Sequence, residues 1–451
     1  MSSPKLSVGF LSLGCPKNLV DAQLMAESLL EQGLQLSANP ETADVIIVNT
    51  CAFIEDARTE SLDAIEDACA HKATGKCRAV LVAGCMPQRY QHRLQDACPE
   101  VDAFIGLDQI DQAGTIIRQA VAANETVFSV SRVSRRIFEP KGSVVFSTGA
   151  HAFLKIAEGC NHGCAFCAIP GIRGRLRSRS IDAIVKEARM LLRKGFHEID
   201  LIAQDIMAYG KDLNQTASLT ALLEALAPIG DDFWIRLLYG YPSLLSDKLL
   251  ETIANHQVIC NYLDIPIQHS HPDILRAMRR AGTIKSLQGM PARMRAILPD
   301  AALRTTALVG FPGETNEHFQ HLREYLASAD FDHVGVFCYS SEEGTPAADL
   351  PYPVPPEIAR ERQEILMQDQ RKRVQKRLRK TKGKRARVLI DGHGPVNGEL
   401  RARNQGQAPD VDGIVRIQHA PKAWKTGMFV EVQYIGFRGY DVLAHPSQMH
   451  P

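Results

Sequence analysis

The sequence predicts an α/β multidomain protein: an N-terminal parallel sheet covered by helices over residues 1–125, an incomplete TIM-like (βα)6 barrel with a trailing helix over 146–380, and a small β-barrel module over 383–451. Three observations carry that prediction. Short β-rich runs alternate with helical stretches through the N-terminal region, six more βα alternations begin near Phe146, and closely spaced short β-like runs occupy the C-terminal end. Regular βα alternation puts parallel strands between helices, whereas short strands joined by turns close into small barrels. The 451 residues also suit two to four domains at about 150 residues each.

In the N-terminal region the expected strands are Leu6 to Leu13, Ala43 to Asn49 and Arg78 to Ala83, followed by helices at Val20 to Gln32, through Ala70 and to about Ala97. The apolar start is short and broken by Ser7, Gly9 and Ser12, so it reads as a buried strand and not as a signal segment. Cys15, Cys51 and Cys85 each lie just past the carboxyl end of a strand, 36 and 34 residues apart. Those ends share one edge of an open parallel sheet, so residues remote in sequence can converge there. Leu13-Gly14, Asn49-Thr50 and Ala83-Gly84 precede them and leave backbone room for a bulky group. Any one of the three, taken singly, reads better as a small buried hydrophobe; three at equivalent positions do not. Cys69, Cys77, Cys98, Cys260 and Cys338 share no geometry and read as structural.

Six barrel strands are expected at Phe153 to Ala157, Glu198 to Ala203, Trp234 to Tyr239, Tyr262 to Ile267, Leu303 to Val309 and His333 to Tyr339. Chemistry on such a frame belongs to the loops after the strands. The first loop holds Cys160-Asn-His-Gly-Cys164-Ala-Phe-Cys167. Structural zinc wants four ligands, so a zinc reading needs a distant fourth residue. A four-iron cluster on three cysteines instead keeps one iron open to a cofactor. Gln204, Asp205 and Arg236 stand at or near strand ends and are candidate cofactor or substrate contacts, with ordinary barrel hydrogen bonding as the alternative. Gly310-Phe-Pro-Gly313-Glu314 reads as a tight turn.

Pro353 to Pro356 mark a boundary before a helix from Glu357 to about Lys380. Residues 371–387 hold eleven Lys or Arg and no acid, either a solvated helix face and linker or a contact for ribosomal RNA. The module beyond balances six acids against six Lys or Arg, with strands expected at Ala386 to Ile390, Gly413 to Ile417 and Phe429 to Ile435. With a formal charge of +1 and no bilayer-length apolar run, the chain is expected to be soluble and to lack a strong global pull on nucleic acid or lipid. Eleven cysteines without a secretion signal point to the reducing cytoplasm.

Cys-x3-Cys-x2-Cys after a first barrel strand resembles the radical S-adenosylmethionine superfamily. Ser12-Leu-Gly-Cys15-Pro-Lys-Asn18, Val48-Asn-Thr-Cys51, Ala83-Gly-Cys85 and Lys155-Ile-Ala-Glu-Gly-Cys160 resemble its methylthiotransferase family over nearly the whole chain. The resemblance implies two four-iron four-sulfur clusters, an auxiliary one on Cys15, Cys51 and Cys85 and a radical one on Cys160, Cys164 and Cys167. It also implies S-adenosylmethionine as cofactor, cleaved reductively to methionine and a deoxyadenosyl radical, and a terminal TRAM-like module. Gln204-Asp205, Trp234-Ile-Arg236, Asp264-Ile-Pro-Ile-Gln268-His269 and Tyr339-Ser-Ser-Glu342-Glu343-Gly344-Thr345 look like the RimO branch, which modifies an aspartate of the twelfth small-subunit ribosomal protein. The implied partners are that protein or the assembled small subunit and an electron donor protein. Methylthiolation of a transfer RNA adenosine, and a non-catalytic iron-sulfur redox or scaffold protein, are the competing readings.

Overall fold

The computed structural model describes residues 6–447 apart from 124, 148, 215, 288 and 397. Packing divides the chain into two compact units: residues Met1–Phe146 with Lys155–Ala183 and Ser340–Thr345, and residues Ser147–Leu154 with Ile184–Tyr339 and Pro346–Pro451.

The first unit is built on a six-stranded parallel sheet. Its elements are β1 (Ser7–Ser12), α1 (Pro16–Glu31), β2 (Gln35–Leu36), β3 (Val45–Thr50), α2 (Glu55–Thr74), β4 (Ala79–Gly84), α3 (Cys85–Tyr90), α4 (His92–Ala97), β5 (Ala103–Ile105), α5 (Ala113–Ala122) and β6 (Val127–Ser129), with strand order β2-β1-β3-β4-β5-β6. Val45 and Ile47 pack on one face with Met25, Leu29 and Ile116, while Ile46 and Val48 pack on the other with Ile65 and Met86. Helices on both faces explain why these strands read as unbroken apolar runs. The helix expected to reach Ala97 is interrupted at Gln91, whose φ of 52° lies in the left-handed region and separates α3 from α4.

The chain continues through β7 (His151–Lys155), β8 (Ala157–Glu158), α6 (Ile169–Arg173) and β9 (Arg177–Ser178), β8 and β9 forming a small antiparallel ladder in the first unit. The second unit follows with α7 (Ile181–Arg193), β10 (Glu198–Ile202), α8 (Leu219–Leu226), β11 (Trp234–Leu237), α9 (Asp247–Asn255), β12 (Tyr262–Asp264), α10 (Pro272–Ala277), α11 (Ala281–Leu287), α12 (Met290–Ile297), β13 (Ala302–Val309), α13 (Asn316–Ala329) and β14 (His333–Cys338). The six strands run in two parallel sheets, β11-β10-β7 and β12-β13-β14, with Ile235 and Ile259 bridged between β11 and β12. β12 is shorter than its sequence suggested, because Pro266 has no amide to give the ladder and Ile267 N donates to the Thr305 hydroxyl at 3.2 Å instead.

A long helix, α14 (Pro356–Arg379), leads to β15 (Arg385–His393), β16 (Leu400–Arg403), β17 (Val415–Ile417), β18 (Phe429–Arg438) and β19 (Asp441–Pro446), a closed barrel in the order β15-β16-β17-β19-β18. Val388, Ile390, Ala402, Val415, Ile417, Val432 and Ala444 fill its core. No described helix is long and apolar enough to cross a membrane.

Candidate active site

The front cysteines come together because the strand ends are level. Asn49 pairs with Ser12 on one side and Ala83 on the other, and the chain turns into helices just beyond. Cys15 is the residue before α1, Cys51 follows β3, and Cys85 opens α3. Cys51 and Cys85 are buried. Gly14 and Gly84 are indispensable to this approach: both have left-handed φ, 87° and 94°. A Cβ on Gly14 would stand 3.1 Å from the Cys51 sulfur, and one on Gly84 would stand 2.6 Å from Asn49 Oδ1.

Around the trio lies a dry polar frame. Asn18 Nδ2 donates to the carbonyls of Leu13 at 3.1 Å and Thr50 at 2.9 Å, tying α1 to two of the three strand ends. Arg173, at the end of α6, donates to Asn18 Oδ1 at 2.7 Å and reaches the Cys85 sulfur at 3.5 Å. It pairs with Asp21 at 2.9 Å and Glu158 at 3.0 Å, and Lys155 pairs with the same two carboxylates at 2.5 and 2.7 Å. Two buried cations thus face two buried anions, the arrangement that makes burying charge tolerable. Although desolvation opposes its charge, Arg173 and Lys155 hold the Glu158 carboxyl well below its ordinary range. Desolvation pushes the Cys85 thiol up to about 12. A buried thiol becomes a thiolate when a metal takes the place of its proton, and three sulfurs at one sheet edge fit a thiolate-bound metal cluster.

The second cysteine set occupies the loop between β8 and α6, in the same unit. Gly159, with φ of 79°, starts it; a Cβ there would stand 2.2 Å from the Arg175 carbonyl. Cys160 N donates to the Gly174 carbonyl at 3.1 Å and Asn161 accepts from Leu176 N at 3.0 Å, so the loop is pinned at its base. His162 N donates to the Cys160 sulfur at 3.4 Å, a bond of the kind that tunes cluster thiolates. Cys164 is buried, while Cys160 and Cys167 are half-exposed. Three thiols on an eight-residue turn, two of them accessible, fit a cluster that keeps one iron open.

In the second unit Gln204 and Asp205 follow β10 directly. Gln204 is half-buried; Asp205 is buried and accepts from Met207 N at 3.0 Å, capping a short 3-10 turn. Arg236 is one residue from the carboxyl end of β11 and is taken up by protein partners. It sits inside β11, fully buried, with Glu198 at 2.6 Å and the Gln405 carbonyl at 2.6 Å. Glu198 also pairs with Arg403 of β16 at 2.7 Å. Residue 236 pairs with Asp200 of β10, and its guanidinium reaches Glu198 and the loop after β16, so it serves the joint between the barrel strands and the terminal module. The Gly310 turn is a turn indeed: buried Glu314 accepts from Gly310 N at 2.7 Å and pairs with Arg362 at 3.0 Å.

Arg173 was not singled out by sequence reasoning, and Asn18, Tyr239 and Gln268 belong to family-like motifs that gave them no role of their own. Tyr239 and Gln268, just past β11 and β12, have φ of 70° and 68°, a strain that side-chain-bearing residues adopt mainly where a site requires it. A buried Lys and Glu in the spelling Lys155-Ile-Ala-Glu158 was the available signal for the polar frame.

Three family models match the chain: the uncharacterized protein family UPF0004 over residues 7–106, the radical SAM superfamily over 154–326 and the TRAM domain over 383–446. A ribosomal protein uS12 methylthiotransferase RimO of Trichlorobacter lovleyi is 42% identical over 443 residues, covering 98% of this chain and 98% of that relative. One from Geobacter sulfurreducens is 43% identical over 418 residues, covering 92% and 94%. The chain belongs to the uS12 methylthiotransferase family. Among solved structures, the radical S-adenosylmethionine methyltransferase TsrM of Kitasatospora setae, with cobalamin and a [4Fe-4S] cluster bound, aligns with a TM-score of 0.56 over 76% of this chain and 77% of its own, at 13% identity. At that identity the likeness concerns the fold alone.

Proposed function

We propose that this protein is a radical S-adenosylmethionine methylthiotransferase that places a methylthio group on the β-carbon of an aspartate in ribosomal protein uS12. The observation that carries the reading is the pair of cysteine trios in one compact unit, one at three level strand ends and one on a separate loop, in a chain of this family. A carbon–hydrogen bond beside a carboxylate is too inert for acid–base or nucleophilic attack at neutral pH. Two four-iron four-sulfur clusters and S-adenosylmethionine, when bound, supply the electron, the hydrogen-abstracting radical and the methylated sulfur that this reaction needs.

The residues of the chain hold and tune that equipment. Cys15, Cys51 and Cys85 are the ligands of the auxiliary cluster; Cys160, Cys164 and Cys167 are those of the radical cluster. Arg173 donates toward Cys85 and stabilises thiolate charge there, while Asn18 keeps α1 against the strand ends. Gln204 and Asp205 are cofactor or substrate contacts; Arg236 is reassigned to structure. The partners are uS12, free or in the small subunit, and an electron donor protein, all in the cytoplasm. Basic residues exposed between 371 and 387, among them Arg371, Lys372, Lys376, Arg379 and Lys382, contact ribosomal RNA beside the target.

Mass spectrometry of uS12 from cells lacking the gene tests the reading. Loss of the mass of a methylthio group in place of hydrogen is expected. An unchanged uS12, with a methylthio nucleoside missing from transfer RNA instead, would move the activity to RNA.

A further inference from the structure

Histidines crowd the starts of α10 and α13, outside everything used so far. His271 is the residue before α10, Asp273 lies in its first turn, and His318 and His321 lie in the first two turns of α13. Ligand atoms of His271, Asp273 and His318 all fall within 4.8 Å of one another. The His271 ring stands 4.3 Å from that of His318 and 5.1 Å from that of His321, centroid to centroid. We propose that His271, Asp273, His318 and His321 form a binding site for a divalent transition cation of the zinc type.

Four ligands, three imidazoles and one carboxylate, are the donors that zinc, nickel and copper select over magnesium or calcium. Bonds of about 2.0–2.2 Å require ligand atoms spread over 4.8 Å to draw together, which rotation of half-exposed side chains provides. Asp273 is exposed, and its other partner is Arg276 on the same helix, a surface ion pair of small worth that yields readily. His321 Nδ1 meets the Ser270 hydroxyl at 2.8 Å; when that ring nitrogen donates, Nε2 turns its lone pair to a metal, the outer hydrogen bond a ligating histidine usually has. His318 Nδ1 accepts from Thr315 N and His271 Nδ1 from Asp273 N, both at 3.2 Å, long bonds that a coordinate bond can replace.

An anion is the rival occupant, since two helices begin here and their positive ends favour negative charge. Asp273 and Glu317 in those first turns repel an anion and offset the dipoles for a cation. Burial and the neighbouring rings hold His271 below its ordinary range. The site would brace the loop after β12, because His269 Nδ1 accepts from His271 N at 3.0 Å.

The test uses cluster-loaded full-length protein, so that cysteines are occupied, titrated with zinc chloride by calorimetry under anaerobic conditions. His271→Asn and His318→Gln keep a side-chain acceptor at each helix start while removing a ligand. Wild type is expected to bind one zinc more than the double variant at equal iron content, with only nitrogen and oxygen neighbours in the zinc X-ray absorption spectrum. Asp273→Asn, a surface change, is expected to weaken that zinc by at least about tenfold. Equal zinc stoichiometry in wild type and variants, or a sulfur-containing shell, overturns the proposal. Inorganic phosphate binding at these residues in place of zinc overturns it as well.

Discussion

At the scale of single residues, two thiols of the same type carry different predictions. Cys85→Ala removes a proposed ligand at the strand ends and leaves the 160–167 loop intact, so deoxyadenosine formation from S-adenosylmethionine is expected to persist while methylthio transfer is lost. Cys164→Ala is expected to abolish both. Chromatographic assay of both products on reconstituted variants separates the roles, and identical behaviour would refute the division of labour. Arg236 makes the converse case. Removing it leaves Glu198 and Asp200 buried with one fewer cation, so Arg236→Met is expected to destabilise by about 3–5 kcal/mol. The affinity of the folded protein for S-adenosylmethionine should not change. Thermal unfolding beside equilibrium dialysis reads both; an unaltered melting temperature with weakened cofactor binding would return Arg236 to the cofactor.

Elements show where the sequence was legible. β3 and β4 were readable to within two residues because both faces are covered, and unbroken apolar runs bounded by polar turns have few other interpretations. β16 and β19 escaped notice: Leu400–Arg403 carries charge on alternate positions, Asp441–Pro446 opens on an acid and ends on a proline, and only closure of the barrel gives their apolar sides a core. Strand β10 supplies a pH prediction. Burial opposes the charge of Glu198, yet Arg236 and Arg403 hold its carboxyl at about 2, below the ordinary 4.5. The unfolded chain therefore takes up a proton before the folded one does, and stability rises with pH across that window. This contribution is present above about pH 4.5 and is lost as the pH falls toward 2. Urea unfolding across that range should show a shallower acid slope for Glu198→Gln than for wild type.

For the whole molecule the expected metal content is roughly eight irons per chain in anaerobically prepared protein, from two four-iron clusters. Iron and sulfide assays measure it; four irons would leave Cys15, Cys51 and Cys85 without a role. The basic segment adds a second expectation. Arg377 is spent on Asp330 and Asp332, and Arg387 on Asp232 and the Phe429 ring, but most of the remaining charges face solvent. Affinity for small-subunit particles should accordingly fall with salt, and less steeply once Arg371, Lys372 and Lys376 are neutralised.

Cysteine spacing, strand-end glycines and βα periodicity are local or periodic properties, and they were enough by themselves to point to six candidate metal ligands and to a parallel sheet, a βα region and a small β-barrel in that order. Which charges surround those ligands was settled only by tertiary structure. Lys155, Asp21, Glu158 and Arg173 come from four separate elements, and each is tolerable in the interior only because the others are there. Arg236 shows the same limit. Its position near a strand end is visible in one dimension, but its partners Glu198, Arg403 and the Gln405 carbonyl meet it only after the chain has folded back on itself.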